Sequence, residues 1–364
     1  MVGGLSRLTL RFFQSLKAYR RMERIATPPS RLAALDSLRG IAILAVLVSH
    51  LSGTLGLGRI FNSAMIDLGR GGVTLFFILS GYLIFRNVQV QSVPTFFCRR
   101  FFKVMPSYWL NIGIILLADL TLPNGPHFPA GSYLAGVGAV SDVLGVEAVS
   151  GVFWTLLIEI KFYLFIAVQY ALFKGRRSHL VLLTLIALEI AVWAIRGRGS
   201  LTLAYFPIFY LGIEMSLAEA DNWRRPALLR LALVALLLAA SLYLCLDSQQ
   251  AGSALYLLVD AALFVVFLRY RLSNRVTEFF GVTSYSNYLY HSLIAGGVIA
   301  WLGLGPGLAA AGTLVLALAA TTLIGALLYR WVEVPMVDLG RRLTNGWDSP
   351  TTRSFRRRPE PRAS

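Results

Sequence analysis

Ten long apolar segments, separated by short clusters of basic residues, make up most of this sequence. A bilayer core about 30 Å thick requires about 20 mainly apolar residues per helix. The segments cover approximately residues 35–57, 72–91, 101–122, 151–173, 179–195, 200–218, 226–246, 251–270, 281–303 and 307–331. A soluble domain has about 25% charged residues, whereas this chain has 14%. We therefore predict an all-α, polytopic membrane protein with about ten transmembrane helices.

The basic residues indicate how the chain is oriented. The net charge of +16 would suggest a nucleic-acid partner in a soluble protein. However, 28 of the 34 Lys and Arg residues fall on alternate loops and on the two termini. Because basic loops stay in the cytoplasm, both termini are predicted to be cytoplasmic, with membrane lipids rather than nucleic acid as the partner. We divide the chain into a basic tail (1–34), a membrane domain (35–335) and a basic, disordered tail (336–364).

The longest predicted external connection, about residues 123–150, contains acidic residues but no Lys or Arg. It is either an ordinary solvated loop or a lid over an external acceptor.

Arg39 and His50 are polar residues within the first apolar segment. A charge in hydrocarbon costs about 2.5–3.5 kcal/mol, so residues of this kind are functional candidates. At about 100° per residue, the two side chains share one helix face about 16 Å apart. A long substrate could place an anionic head near Arg39 and its reactive end near the His50 imidazole. A lone buried histidine is more often structural, but an arginine on the same face favours function.

Glu159 lies in the fourth segment, about 12 Å from its external end by the rise of an α-helix. We expect His50 at a similar depth, where the Glu159 carboxylate could orient the imidazole and raise its basicity. Alternatively, Glu159 only neutralises an arginine or Lys161. A pair with Lys161 is disfavoured because residues two apart on a helix do not face each other.

Further candidates have structural alternatives of equal or greater weight. His291 in the ninth segment is either catalytic or a structural hydrogen-bonding residue. Ser80 could be a nucleophile, but Gly-x-Ser-x-Gly is absent and Ser-Gly pairs commonly pack membrane helices. Trp154 could bind the acceptor or lie at the membrane interface. The cysteines and histidines lack metal-ligand spacing, so no metal site is predicted.

Arg100 and Lys103 belong to a basic cluster at the predicted cytoplasmic end of the third segment. The cluster could simply anchor the helix, or it could bind the phosphate groups of a nucleotide-like donor. Walker A and Gly-x-Gly-x-x-Gly motifs are absent from the sequence, so ATP or dinucleotide binding is not supported.

Six blocks of the sequence, taken in order, resemble the acyltransferase 3 family of integral membrane acyltransferases, which includes O-antigen and exopolysaccharide O-acetylases. The blocks are LDSLRGIAILAVLVSH, GGVTLFFILSGYLIF, RRFFKVMPSYWL, VFWTLLIEIKFYLF, SYSNYLYHSLI and VEVP. The resemblance implies an inner-membrane enzyme that moves an acyl group, commonly acetyl, from cytoplasmic acyl-CoA to a carbohydrate or glycolipid hydroxyl. It implies no cofactor beyond this donor, and it leaves the acceptor, the acyl chain length and the oligomeric state open.

The resemblance also assigns residues. The family's Arg-x10-His motif falls on Arg39 and His50, and its basic motif falls on Arg100 and Lys103, although arginine is usual at the second of these positions. The family's Trp…Glu block falls on Trp154 and Glu159, and its Glu-x-Pro falls on Glu333 and Pro335. Tyr285 and His291 are secondary candidates within the matching block SYSNYLYHSLI. We expect His50, oriented by Glu159, to remove the proton of the acceptor hydroxyl. The three basic residues are expected to hold the phosphates of acyl-CoA.

Two other kinds of function compete with this prediction. A transporter that exports a polar lipid or an acyl-bearing substrate without chemistry predicts an internal inverted repeat, and none is evident in the sequence. A structural or regulatory subunit would have little reason to carry costly polar residues within its apolar segments.

Overall fold

The computed structural model describes residues 29–54, 67–122, 127–173, 178–197, 204–245, 252–302 and 308–347, and the regular elements within these ranges are helices. Most of the predicted basic tail at the N-terminus and the end of the tail at the C-terminus lie outside the described residues.

Within the described residues, ten helices of 13 or more residues overlap the ten predicted segments, although the third begins earlier, at Val93, and the sixth begins later, at Ile208. In chain order the helices are α1 (Pro29–Thr54), α2 (Leu68–Val90), α3 (Val93–Thr121), the short α4 (Ala130–Val137) and α5 (Ser141–Leu144), α6 (Phe153–Phe173), α7 (Ser178–Arg196), α8 (Ile208–Ala220), α9 (Arg225–Cys245), α10 (Gly252–Tyr270), the short α11 (Arg275–Val282), α12 (Ser284–Leu302), α13 (Leu308–Leu328) and α14 (Val334–Leu343). A π-helical turn, Tyr329–Glu333, joins α13 to α14. The all-helical prediction is confirmed for the described residues.

Five of the described stretches are long and apolar enough to cross a membrane by length and composition. They are Leu32–Gly53, Leu68–Val90, Val93–Thr121, Phe153–Phe173 and Gly312–Leu343. The chain is therefore a membrane protein with several apolar helices, whereas the count of ten spans and the cytoplasmic location of both termini stay predictions.

Local sequence signals set the ends of the helices that carry the site. The Asp67 carboxylate caps α2 by accepting a hydrogen bond from the backbone N–H of Arg70, and it also accepts one from the Arg70 guanidinium. Ser92 caps α3 by accepting from the N–H of Thr95, and Pro94 occupies the first turn, where a missing N–H costs nothing. The turn between α2 and α3 is therefore only two residues long, which brings the basic cluster close to the end of α2.

Glycines allow helix backbones to touch at several points among the described residues. A Cβ atom at Gly81 of α2 would collide with the carbonyl oxygen of Phe209 in α8, and one at Gly212 of α8 would collide with that of Ile78. In the same way, Gly40 of α1 lies against the backbone of α11. Small residues of this kind are typical of tightly packed membrane helices. These contacts fix α1 and α2, which carry Arg39 and Ser80, within the core.

Helix α14 packs on the basic cluster of α3. The Arg99 Nε donates a hydrogen bond of 2.8 Å to the hydroxyl of Thr344, which follows α14. Gly340 of α14 lies against the side chain of Phe102. The end of the described chain is therefore held beside the start of α3.

The connection between α3 and α6 folds back along α3 instead of extending away from it. Its backbone N–H at His127 donates to Asp119, near the end of α3. Further along, the carbonyl of Gly136 accepts from the Tyr108 hydroxyl at 2.9 Å. Tyr108 and Asp119 are eleven residues apart, or about 16 Å along the helix axis. The described part of this connection therefore packs along the side of α3.

Candidate active site

A cavity between α1, α2, α3, α6 and α12 gathers most of the predicted site residues. Six of them line it, namely Arg39, Ser80, Arg100, Lys103, Glu159 and Tyr285. These residues are far apart in the sequence, and each helix contributes one or two of them. The fold therefore turns separate sequence blocks into one polar site within an apolar helical domain.

Three cations give the cavity its positive charge. The Arg39 guanidinium lies 3.2 Å from the carboxylate of Asp36, one turn earlier on α1. The Arg100 guanidinium lies over two aromatic rings, 5.4 Å from the centroid of Tyr163 and 5.7 Å from that of Phe96. Such stacking holds the guanidinium plane in place. Arg100 makes no ion pair with a carboxylate within the described part of the chain, so its charge is suited to an anionic ligand.

Glu159 is held by two hydroxyl groups. Its Oε1 accepts a hydrogen bond from Ser80 at 2.8 Å and one from Tyr163 at 2.7 Å. Tyr163 lies one turn after Glu159 on α6, and its ring supports Arg100. Ser80 and Tyr163 therefore fix a carboxylate within reach of the cation cluster.

His50 pairs with a second histidine, and this corrects the expected partner. Its Nδ1 lies 2.8 Å from Nε2 of His291 on α12. The hydrogen bonds of Glu159 go instead to Ser80 and Tyr163. The prediction that Glu159 orients His50 is therefore not what the structure shows.

The starting depth of α6 explains this difference. The sequence-based depth estimate assumed that α6 begins at the external surface. In the structure, the ring of Phe153, the first residue of α6, packs 4.6 Å from that of Tyr108. Tyr108 lies about 16 Å before the level of Asp119 on α3. Glu159 consequently lies at the level of Ser80, which donates a hydrogen bond to it, and not beside His50, which pairs with His291.

Tyr288 lies between the cavity and the histidine pair. It lines the cavity together with Thr155, and the hydroxyl groups of these two residues are 2.5 Å apart. Its backbone carbonyl lies 2.7 Å from Nδ1 of His291. The sequence analysis missed Tyr288 and Tyr163, although each lies three or four residues from a predicted site residue, which is the spacing of neighbours on a helix.

The remaining candidates fall in two groups. Tyr285 lines the cavity and donates a hydrogen bond of 2.7 Å to the carbonyl of Val104, so it ties α12 to α3. Glu333 and Trp154 are not among the described residues that line the cavity. Glu333 accepts a hydrogen bond from Ser286 in the buried π turn, and the Trp154 ring packs 5.4 Å from that of Tyr205.

Lys161 neutralises an acidic residue other than Glu159. Its ammonium group contacts the carboxylate of Asp142 on α5, in the connection that lines α3. The alternative of a Glu159–Lys161 pair is therefore wrong. Within the described ranges, no group of three or more His, Cys, Asp or Glu side chains could hold a metal ion.

Comparisons with known proteins show which family the chain resembles. A family model described as "Acyltransferase domain" matches residues 32–330. The chain is 28% identical over 299 residues to the exopolysaccharide production protein ExoZ of Rhizobium meliloti, covering 77% of this chain and 93% of that protein. It is 28% identical over 373 residues to the acyltransferase MdmB of Streptomyces mycarofaciens, covering 86% and 93%. It is 26% identical over 198 residues to the peptidoglycan O-acetyltransferase OatA of Listeria monocytogenes, covering 48% and 29%. No solved structure gives a significant match.

Proposed function

The chain belongs to the acyltransferase 3 family, and from this premise we propose that it transfers an acyl group, acetyl in particular, from acyl-CoA to a carbohydrate or glycolipid hydroxyl in the inner membrane. Family membership makes the chain an enzyme that transfers acyl groups. The names of ExoZ and OatA, which refer to an exopolysaccharide and to peptidoglycan, support a carbohydrate acceptor.

The observation that carries the choice of donor is the cation cluster in the cavity. Arg39, Arg100 and Lys103 come from two helices and line the same space. Coenzyme A carries phosphate groups, and guanidinium groups bind phosphate through charge-assisted hydrogen bonds. Arg39 also shares a helix face with His50, so a donor held by its phosphates could extend its pantetheine arm toward the imidazole.

The proposed reaction involves two proton transfers, one to the His50 imidazole and one from it. The acceptor oxygen attacks the thioester carbonyl carbon while the His50 imidazole removes the hydroxyl proton. The carbon–sulfur bond then breaks, and the resulting imidazolium returns the proton to the departing thiolate of coenzyme A. General base catalysis of this kind contributes about 10²–10⁴-fold to the rate.

Adjacent arginines provide a matched test of donor binding. Arg100 lines the cavity, whereas Arg99 contacts Thr344. Purified protein in lipid vesicles is assayed for transfer of radiolabelled acetyl from acetyl-CoA to cell-envelope glycan or glycolipid and for release of coenzyme A. We expect Arg100→Ala to raise KM for acetyl-CoA by about 10–100-fold, because a hydrogen bond to a charged group contributes about 1.5–3 kcal/mol. Arg99→Ala should change it less than threefold, and equal effects of the two changes would contradict the proposal.

A further inference from the structure

We propose that His291 is a positioning residue that fixes the tautomer of His50, so that the lone pair of His50 lies on Nε2, the nitrogen that takes the substrate proton. The catalytic role of this tautomer rests on the proposed function. The tautomer itself is inferred from the hydrogen bonds of His50 and His291. His291 therefore has the orienting role that was predicted from the sequence for Glu159.

The backbone carbonyl of Tyr288 determines which nitrogen of His291 carries a hydrogen. This oxygen lies 2.7 Å from Nδ1 of His291. A carbonyl oxygen can only accept a hydrogen bond, so Nδ1 of His291 must carry a hydrogen.

The surroundings of His291 determine its charge. Its side chain is completely buried, at 0% exposure, and no carboxylate forms an ion pair with it among the residues that the structure describes. An unpaired charge is costly within a membrane domain, so His291 is neutral. A neutral imidazole with a hydrogen on Nδ1 has a lone pair on Nε2. Nε2 of His291 is therefore an acceptor.

The acceptor on His291 determines the tautomer of His50. Its Nδ1 lies 2.8 Å from the Nε2 acceptor of His291, so Nδ1 of His50 is the donor. The lone pair of His50 is then on Nε2. The His50 side chain is exposed, so a substrate can approach it while the buried His291 holds its other nitrogen.

The arrangement also supports the charged state formed during the reaction. When Nε2 of His50 takes the acceptor proton, its Nδ1–H becomes part of an imidazolium, and the hydrogen bond to His291 becomes charge-assisted and stronger. In a Ser-His-Asp triad a carboxylate does this. Here the neutral imidazole of His291 stabilises the imidazolium, and the Tyr288 carbonyl accepts a hydrogen bond from the other nitrogen of His291.

Two substitutions separate positioning from packing. Glutamine at 291 keeps a carbonyl acceptor for the Nδ1–H of His50, whereas leucine has a similar volume and no polar group. We expect His291→Leu to lower kcat about 100-fold with KM for acetyl-CoA within about twofold, by analogy with other losses of acid–base function. The kcat of His291→Gln should be at least tenfold higher than that of His291→Leu. A Leu variant within threefold of the native kcat, or a Gln variant no better than Leu, would overturn the positioning role.

A spectroscopic measurement tests the tautomer without any assay of activity. The chain has four histidines, so NMR spectra of protein labelled with ¹⁵N-histidine in lipid bilayers contain few ring signals. The signals of His50 and His291 are assigned from their loss in the His50→Ala and His291→Gln variants. We expect both rings to carry hydrogen on Nδ1 and not on Nε2. A hydrogen on Nε2 of His50 would overturn the inference even if transfer is confirmed. If the tautomer is as expected but native protein transfers no acetyl from acetyl-CoA, the proposed function fails and the tautomer assignment stands.

Discussion

Tyr163 is the residue on which two parts of the cavity depend. Its hydroxyl donates to Glu159, and its ring lies beneath the Arg100 guanidinium. One side chain thus positions both an anion and a cation, and it is itself almost completely buried on α6. Because the two roles use different parts of the side chain, they can be removed one at a time.

Tyr163→Phe should remove only the hydrogen bond, and Tyr163→Leu should remove the ring contact as well. We expect the Phe variant to lose about 1 kcal/mol of stability, since Glu159 keeps its bond from Ser80. The Leu variant should also raise KM for acetyl-CoA about threefold to tenfold, since cation–π contacts contribute about 0.5–1 kcal/mol or more when desolvated. Kinetics and thermal unfolding of both variants check this, and an equal KM in the two would show that the ring does not position Arg100.

The connection between α3 and α6 differs from what its sequence predicts. Several of its large apolar side chains are exposed on the outer surface, namely Leu134, Val143 and Leu144. The segment lies at the level of the middle of α3, where Lys161 and Asp142 neutralise each other. A charge in apolar surroundings is costly unless it is paired, so each of these two residues reduces the cost of the other. The connection therefore behaves as part of the helical wall.

The backbone contact between α2 and α8 gives a prediction for these elements. Gly81→Ala should destabilise the protein by about 1–3 kcal/mol, because its methyl group would meet the Phe209 carbonyl and force the helices apart. Gly113 of α3 is a matched control, since a Cβ there has no neighbour within 4 Å. Gly113→Ala should leave the unfolding temperature in detergent within about two degrees of the native value. A similar loss in both variants would show that the close approach of α2 to α8 does not determine the effect, because replacing Gly with Ala raises helix propensity at both positions.

For the molecule as a whole, the distribution of basic residues predicts that Arg196 is external and Asp221 cytoplasmic. A background lacking Cys98 and Cys245 allows single cysteines to be placed at these two exposed positions. A maleimide that cannot cross membranes should label Arg196→Cys in intact spheroplasts, and Asp221→Cys only after lysis. The opposite labelling pattern would reverse the predicted orientation.

The sequence predicted where most of the helices lie, because a long apolar run is visible whatever its neighbours are, although α3 begins at Val93 and α8 at Ile208. Helix α7, at Ser178–Arg196, differs from the predicted 179–195 by one residue at each end. Pairings between helices were harder to predict. The His50–His291 pair depends on where α1 and α12 approach each other, and the depth of Glu159 depends on where α6 begins. Neither quantity is encoded in the periodicity of a single segment.

The contact between Thr344 and Arg99 has a practical consequence for anyone preparing this enzyme. A purification tag or fluorescent protein attached shortly after Trp347 would emerge beside the start of α3, next to the arginine that we propose binds the donor. A bulky or acidic fusion there would crowd the donor's path or compete for its cations. Protein prepared for kinetic work should carry its tag at the other terminus, or on a long neutral spacer.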